Sequence, residues 1–117
     1  MRNFNQEVSL KKLPYTATTR TGDVLDIEFP LHNDTVDPVR VGQLVSTLLR
    51  AIDRDFDVAG EMSNGDVLQA LVMATAIRAR MIHAPSQLTE GIAKELLSIS
   101  LDAVANAEHR GAEAGQA

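Results

Sequence analysis

The segment Val67–Ile77 limits the possible folds of this chain more than any other feature. Its only polar side chains are Gln69 and Thr75, and Ser63 precedes it at a spacing typical of a helix cap. The segment is therefore predicted to be a helix that is apolar almost all round. Such a helix lies at the centre of a bundle or carries a second partner surface.

A chain of 117 residues has little mass with which to enclose such a helix completely. If the other elements leave one side open, Leu68, Val72 and Ala76 form an exposed apolar strip, which soluble monomers avoid. A two-fold dimer would bury that strip, because a symmetric interface needs only one self-complementary patch. The alternative is a monomer in which the sheet and the neighbouring helices enclose the helix.

The first part of the chain is predicted to form strands. Tyr15–Thr19 is rich in β-branched residues, and a second run alternates between apolar and acidic side chains. Gly22 lies between the two runs and supplies the backbone freedom that a short hairpin loop needs. The alternating residues are Leu25, Ile27, Phe29 and Leu31 with Asp26 and Glu28. A third strand near Val8 to Leu10 is a further possibility.

Three helices are predicted, over about residues 38–54, 64–83 and 87–107. Asp37 before Pro38 marks the start of the first helix, and Pro85 limits the second. Leu48 and Leu49 lie on an apolar stripe that is expected to cover the Ile27 face of the sheet. The expected fold class is α+β, an N-terminal antiparallel hairpin or small sheet packed on three helices. One domain over residues 1–108 is expected, followed by a disordered tail over 109–117.

The composition argues against several classes of protein. The net charge of −5 argues against nucleic acid as a partner, and no apolar run is long enough for a membrane span. The chain has no cysteine, which excludes disulfides and thiolate metal sites. The N-terminal residues lack the apolar centre of a signal peptide, so the expected location is the cytoplasm.

Asp53, Asp55 and Asp57 are weak candidates for a metal site. Carboxylates at alternate positions resemble the first half of a calcium-binding EF-hand loop. Position six of that loop requires glycine and holds Val58 here, and position twelve requires glutamate and holds Asn64. The more economical interpretation is a solvated, acidic helix end.

Residues 88–104 have apolar spacing similar to that of a helix-turn-helix segment. The possible turn lacks glycine, the apolar stripe continues through it, and Asp102 and Glu108 stand where DNA-binding proteins carry basic residues. One continuous helix is therefore the better interpretation.

No catalytic constellation is visible, because the three histidines lack metal-ligand spacing and no serine lies in a nucleophile-elbow pattern. His32 with Asp34 is best interpreted as part of a turn. The expected function is that of a small cytoplasmic, non-catalytic binding or scaffolding protein. It would act as a homo-oligomer, with a protein partner possible and with no cofactor. The alternatives are a transcriptional or toxin–antitoxin regulator that uses residues 88–104, and a pocket protein or enzyme that uses the acids at 53–57.

Overall fold

The computed structural model of the chain describes residues 11–19, 21–60 and 62–111. Within these residues a three-stranded antiparallel sheet, in the order β1-β2-β3, is combined with three helices. The α+β class is therefore confirmed. In chain order the elements are β1 (Lys12–Thr18), β2 (Val24–Pro30), α1 (Pro38–Ala59), α2 (Asn64–Arg80), α3 (Ser86–Ala105) and β3 (Glu108–Arg110).

Strands β1 and β2 form the predicted hairpin. Leu13 pairs with Phe29, and Tyr15 pairs with Ile27. Side chains directly opposite each other in an antiparallel pair share one face of the sheet, so these four residues form one apolar face. On that face Ile27 is 7% exposed, and the rings of Tyr15 and Phe29 lie 6.5 Å apart at their centroids. The predicted alternation is thus present in the sheet.

The loop between the two strands depends on Gly22, as the sequence predicts. Gly22 has a φ of 93°, which lies in the left-handed region that side chains with a β-carbon rarely adopt. Its N–H donates to the Thr19 carbonyl at 3.0 Å, and the Thr19 N–H donates to the Asp23 carbonyl at 2.8 Å. These bonds close the loop that connects Thr18 with Val24, the last paired residues of the two strands.

Strand β3 corrects the prediction for the C-terminal part. Residues 109 and 110 were expected in a disordered tail, but with Glu108 they pair antiparallel with β2. Two side-chain contacts accompany the pairing: Arg110 lies 2.8 Å from Asp26, and the His109 ring lies 3.8 Å from the Asp23 carboxylate. The possible strand near Val8 to Leu10 and residues 112–117 of the expected tail lie outside the described residues.

Helix α1 begins as predicted and ends later than predicted. The Asp37 carboxylate accepts a hydrogen bond from the Arg40 N–H at 3.1 Å, which is the bond of an N-terminal cap. The expected end near residue 54 is wrong, because the helix continues to Ala59. Phe56 extends the apolar stripe by one turn and is half-buried. Gly60, with a φ of 90°, then ends the helix.

The other two helices lie close to their predicted ranges. Helix α2 ends at Arg80 rather than near residue 83, and α3 covers Ser86–Ala105 rather than 87–107. Pro85 separates them, and its carbonyl accepts hydrogen bonds from the first turn of α3, including one of 3.5 Å from the Thr89 hydroxyl. Thr89 is 9% exposed and is a buried polar residue in the described part of the chain.

Contacts between residues divide the chain into two compact units. Residues 44–95 form one unit, and the described residues before and after that range form the other. The latter contains the buried side chains of Ile27 and Leu31, and a β-carbon on Gly42 would lie 3.8 Å from the Leu13 side chain. The first turns of α1 therefore lie against β1. The expectation of one domain over residues 1–108 stays a prediction.

Two residues of α1 are less buried than the sequence suggests. Leu48 is 50% exposed and Leu49 is 41% exposed, although both were expected to cover the sheet. Neither side chain can therefore contribute the full energy of a buried leucine. Separately, none of the helices in the described residues combines the length and the apolar character needed to cross a membrane.

Candidate functional site

Helix α2 begins at a well-formed cap. Ser63 has extended backbone, and its hydroxyl oxygen accepts a hydrogen bond from the Asp66 N–H at 3.1 Å. The Asp66 side chain lies in the first turn, where a negative charge interacts favourably with the helix dipole. This cap fixes the residue at which the helix starts.

The predicted interface residues lie on one side of α2 and are open to solvent. Leu68, Val72 and Ala76 follow one another at intervals of four, which places them along one face of a helix. Leu68 is 64% exposed and Val72 is 49% exposed, and Ala76 is also exposed. We call these three residues the apolar strip.

The exposed apolar surface of α2 continues beyond the strip. Met73 is 54% exposed and Ile77 is 57% exposed, and both lie on other sides of the helix. No residue of α2, all of which the structure describes, is buried. Contiguous apolar surface of this kind is rare on soluble monomers and typically marks an interaction site.

Thr75 adds little polarity to this surface. Its hydroxyl donates a hydrogen bond of 2.8 Å to the Leu71 carbonyl one turn earlier. The proton of the hydroxyl is thus satisfied inside the helix, and burying Thr75 in an interface would leave no donor without an acceptor. In the sequence Thr75 counts as a polar position, although a threonine inside a helix commonly makes this bond.

The charges of α2 are confined to its two ends. Asp66 lies in the first turn, and Arg78 and Arg80 lie in the last. Between residues 67 and 77 the helix carries no charged side chain. The Arg78 guanidinium lies 3.0 Å from the Met81 sulfur, just beyond the helix. The centre of the helix can therefore be covered by an apolar partner without burying a charge.

The three candidate metal ligands do not converge. Asp53, Asp55 and Asp57 all lie within α1, not in a loop after it. Residues two apart on a helix point about 200° apart, so Asp55 faces away from the other two. Within the described part of the chain, no group of three or more potential ligands is placed to hold a metal ion. An EF-hand site requires a loop, and these three residues are helical, so the structure does not support the EF-hand interpretation.

Residues 88–104 lie within a single helix. Helix α3 runs from Ser86 to Ala105 without a break, so residues 97–99 form no turn. A helix-turn-helix needs a turn that sets its two helices at a large angle. This segment does not have that geometry. An ion pair of 2.9 Å between Glu90 and Lys94 stabilises it along one side.

His32 lies in a turn, as the sequence suggests. Its Nδ1 accepts a hydrogen bond of 3.0 Å from the Asp34 N–H, so in this turn the proton of the neutral ring is on Nε2. The Lys11 ammonium donates to the carbonyls of Asn33 and Thr35 at 2.5 and 3.3 Å. These hydrogen bonds give His32 and Lys11 a structural role in the loop. The bond from Lys11 crosses a long sequence separation and carries no local sequence signal.

Comparison with known proteins gives no match to a protein-family model, to a curated protein or to a solved structure.

Proposed function

We propose that this protein is a non-catalytic scaffolding or binding protein that acts as a homo-oligomer through the apolar strip of α2. The observation that carries the proposal is that α2 has no buried residue although its centre is apolar almost all round, with Gln69 and Thr75 as its polar side chains. A surface of this composition contributes association energy and offers no group for proton transfer or metal binding. Assembly is the role that it supports best.

Burial of the strip supplies part of the energy of self-association. Complete burial of a large aliphatic side chain contributes about 1.5–3 kcal/mol relative to full exposure. Leu68 and Val72 are roughly half exposed, so burying each would contribute about 1 kcal/mol in each copy. A two-fold interface uses every such residue twice, and Met73, which flanks the strip next to Ala76, would add to the total.

A direct test is sedimentation equilibrium at tens of micromolar protein. The proposal expects the mass of a dimer or larger oligomer for the wild type. The change Val72→Glu places a carboxylate at the centre of the strip, where burial without a partner is costly. This variant is expected to sediment as one chain while its circular dichroism remains that of the wild type. A wild-type mass of one chain at every concentration would contradict the proposal.

A matched pair of variants tests the strip itself. Ala76 lies on the strip, whereas Ala70 lies about 120° further round the same helix, and both are exposed. Ala76→Glu and Ala70→Glu introduce the same group into the same helix with the same loss of helix propensity. Only Ala76→Glu is expected to weaken association. Equal weakening by both changes would show that another side of α2, or another surface, forms the contact.

A further inference from the structure

We propose that two copies of the chain pair through α2 in an antiparallel arrangement, in which Asp66 of one copy faces Arg80 of the other. This inference rests on the proposed function, because it requires the apolar strip to be the contact between copies. It adds the direction and the register of the pairing. The occupant of the strip is thus a second copy of the same helix.

The first argument is the distribution of charge. Asp66 at the start of α2 is negative, Arg80 at its end is positive, and the helix between them is uncharged. Neither side chain forms an ion pair with another residue of the described ranges. Reversing one copy against the other places opposite charges together at both ends. The two-fold axis then passes near Met73, midway between the two charged positions.

The second argument is the angular position of the two charges. Asp66 and Arg80 are separated by four helical turns less about 40°, so they lie on the same side of α2. Both flank the apolar strip on the side of Ala76 and Met73. In an antiparallel pair related by a two-fold axis, the same flank of each helix lines the same groove. Asp66 and Arg80 of different copies therefore meet on one side of the interface.

A parallel pair does not use these charges. It would place the two Asp66 side chains at the same height and the two Arg80 side chains at the same height, so that like charges lie level with each other. A parallel pair would also place the two helix dipoles side by side in the same direction, which is repulsive. In the antiparallel pair the dipoles point in opposite directions, which is favourable. Both electrostatic contributions favour the antiparallel direction, while the apolar strip alone would permit either.

Charge reversal tests the pairing of Asp66 with Arg80. Asp66→Lys and Arg80→Glu each turn two attractive contacts per dimer into repulsive ones. Each is expected to raise the dimer dissociation constant roughly tenfold at low salt. The double variant restores both pairs and is expected to associate like the wild type. Each reversal also opposes the helix dipole, so the double variant has the least stable isolated helix. If the double variant associates like the wild type, a more stable helix therefore cannot be the reason.

Cysteine cross-linking tests the direction, and the absence of native cysteine makes the result unambiguous. In the proposed register two Val72 backbones lie about 3 Å apart along the helix axis, and two Leu68 backbones lie about 15 Å apart. A disulfide requires α-carbons about 4.4–6.8 Å apart. Under mild oxidation Val72→Cys is therefore expected to cross-link, and Leu68→Cys alone is not.

The complementary partner of Leu68 in this register is Ala79. An equal mixture of Leu68→Cys protein with isotopically labelled Ala79→Cys protein is expected to give the mixed disulfide, identified by its mass. Cross-linking of Leu68→Cys with itself, or failure of the double charge reversal to recover, would overturn the antiparallel pairing. In that case Val72→Cys cross-linking would still uphold the proposed function. Absence of any Val72→Cys cross-link together with a monomer mass would overturn both.

Discussion

The Asp26 side chain on β2 contacts both neighbouring strands of the sheet, and its ion-pair partner on β3 is Arg110. One carboxylate oxygen of Asp26 lies 2.8 Å from the Arg110 guanidinium on β3. The other oxygen accepts a hydrogen bond of 2.8 Å from the Thr16 hydroxyl on β1. A single side chain in the central strand therefore fixes the register of both neighbours.

Loss of this carboxylate should cost more than loss of either partner. Arg110→Gln removes an ion pair whose two side chains are 57% and 34% exposed, and the expected cost is about 0.5–1 kcal/mol. Asp26→Ala removes that pair and the Thr16 bond, and about 1–2 kcal/mol is expected. Urea unfolding measures both values. Arg110→Lys, which keeps the charge, is the control, and equal costs for Asp26→Ala and Arg110→Gln would contradict the shared role.

The difference in burial between Ile27 and Leu48 predicts a difference in stability. Ile27 is 7% exposed, and Ile27→Ala is expected to cost about 2–5 kcal/mol. Leu48 is 50% exposed, and Leu48→Ala is expected to cost about 1 kcal/mol. Chemical denaturation measures both losses of stability. The two values can be ranked if the slope of unfolding free energy against denaturant concentration is the same in both variants and the wild type. A larger loss for Leu48→Ala would mean that the stripe of α1 is buried after all.

Two glycines without close neighbours should respond to alanine in opposite directions. Apart from the adjoining backbone, no atom lies within 4 Å of a β-carbon placed on Gly60 or on Gly91, so steric space does not distinguish them. Gly60 has a φ of 90°, and Gly60→Ala is expected to cost about 1–2 kcal/mol. Gly91 lies inside α3, where alanine is favoured by about 1 kcal/mol. Thermal unfolding of the two variants compares them, and a stabilising Gly60→Ala would contradict the assigned end of α1.

The ion pair between Glu90 and Lys94 predicts a defined pH dependence. The hydrogen bond and the positive charge of Lys94 lower the pKa of Glu90, and Glu90 in turn raises the pKa of Lys94. A lowered pKa in the folded state gives stability that is present above the ordinary value of 4.5 and is lost as the pH falls below it. A raised pKa gives stability that is present below the ordinary value of 10.5 and is lost as the pH rises past the raised pKa.

The measurement is the difference in unfolding free energy between wild type and Glu90→Gln across the pH range. The wild type should be favoured at neutral pH, and the difference should diminish at both acidic and strongly basic pH. Added salt should reduce the difference at neutral pH, because both groups are exposed. A difference that does not vary with pH would show that the pair makes no contribution through charge.

Local patterns in the sequence accounted for the hairpin and for the starts of two helices. Apolar and acidic residues alternate around Ile27, Gly22 supplies the turn, and Asp37 and Ser63 make the hydrogen bonds that their positions before a helix predict. Each of these features depends on residues within a few positions of one another. That is why they could be derived without knowledge of the fold.

The features that sequence analysis missed depend on distant residues or on competing signals. Strand β3 consists of three polar residues with no apolar alternation, and its side chains contact Asp26 and Asp23 far earlier in the chain. The acidic cluster suggested that α1 ends near residue 54, but the helix continues to Ala59. For the candidate site, the apolar character of α2 could be recognised in the sequence. The bond from Thr75 to Leu71 could not be predicted from the sequence, because a threonine in a helix divides between two side-chain rotamers.

The pairing of β3 with β2 also affects the order in which the sheet is completed during synthesis. The hairpin of β1 and β2 depends on local contacts and can form early, whereas β3 emerges only after three helices have been made. During that interval one edge of β2 has unpaired N–H and carbonyl groups, which another strand could bind. Nascent chains on neighbouring ribosomes therefore have a period in which they can form an incorrect sheet, and variants shortened before Glu108 would retain that open edge permanently.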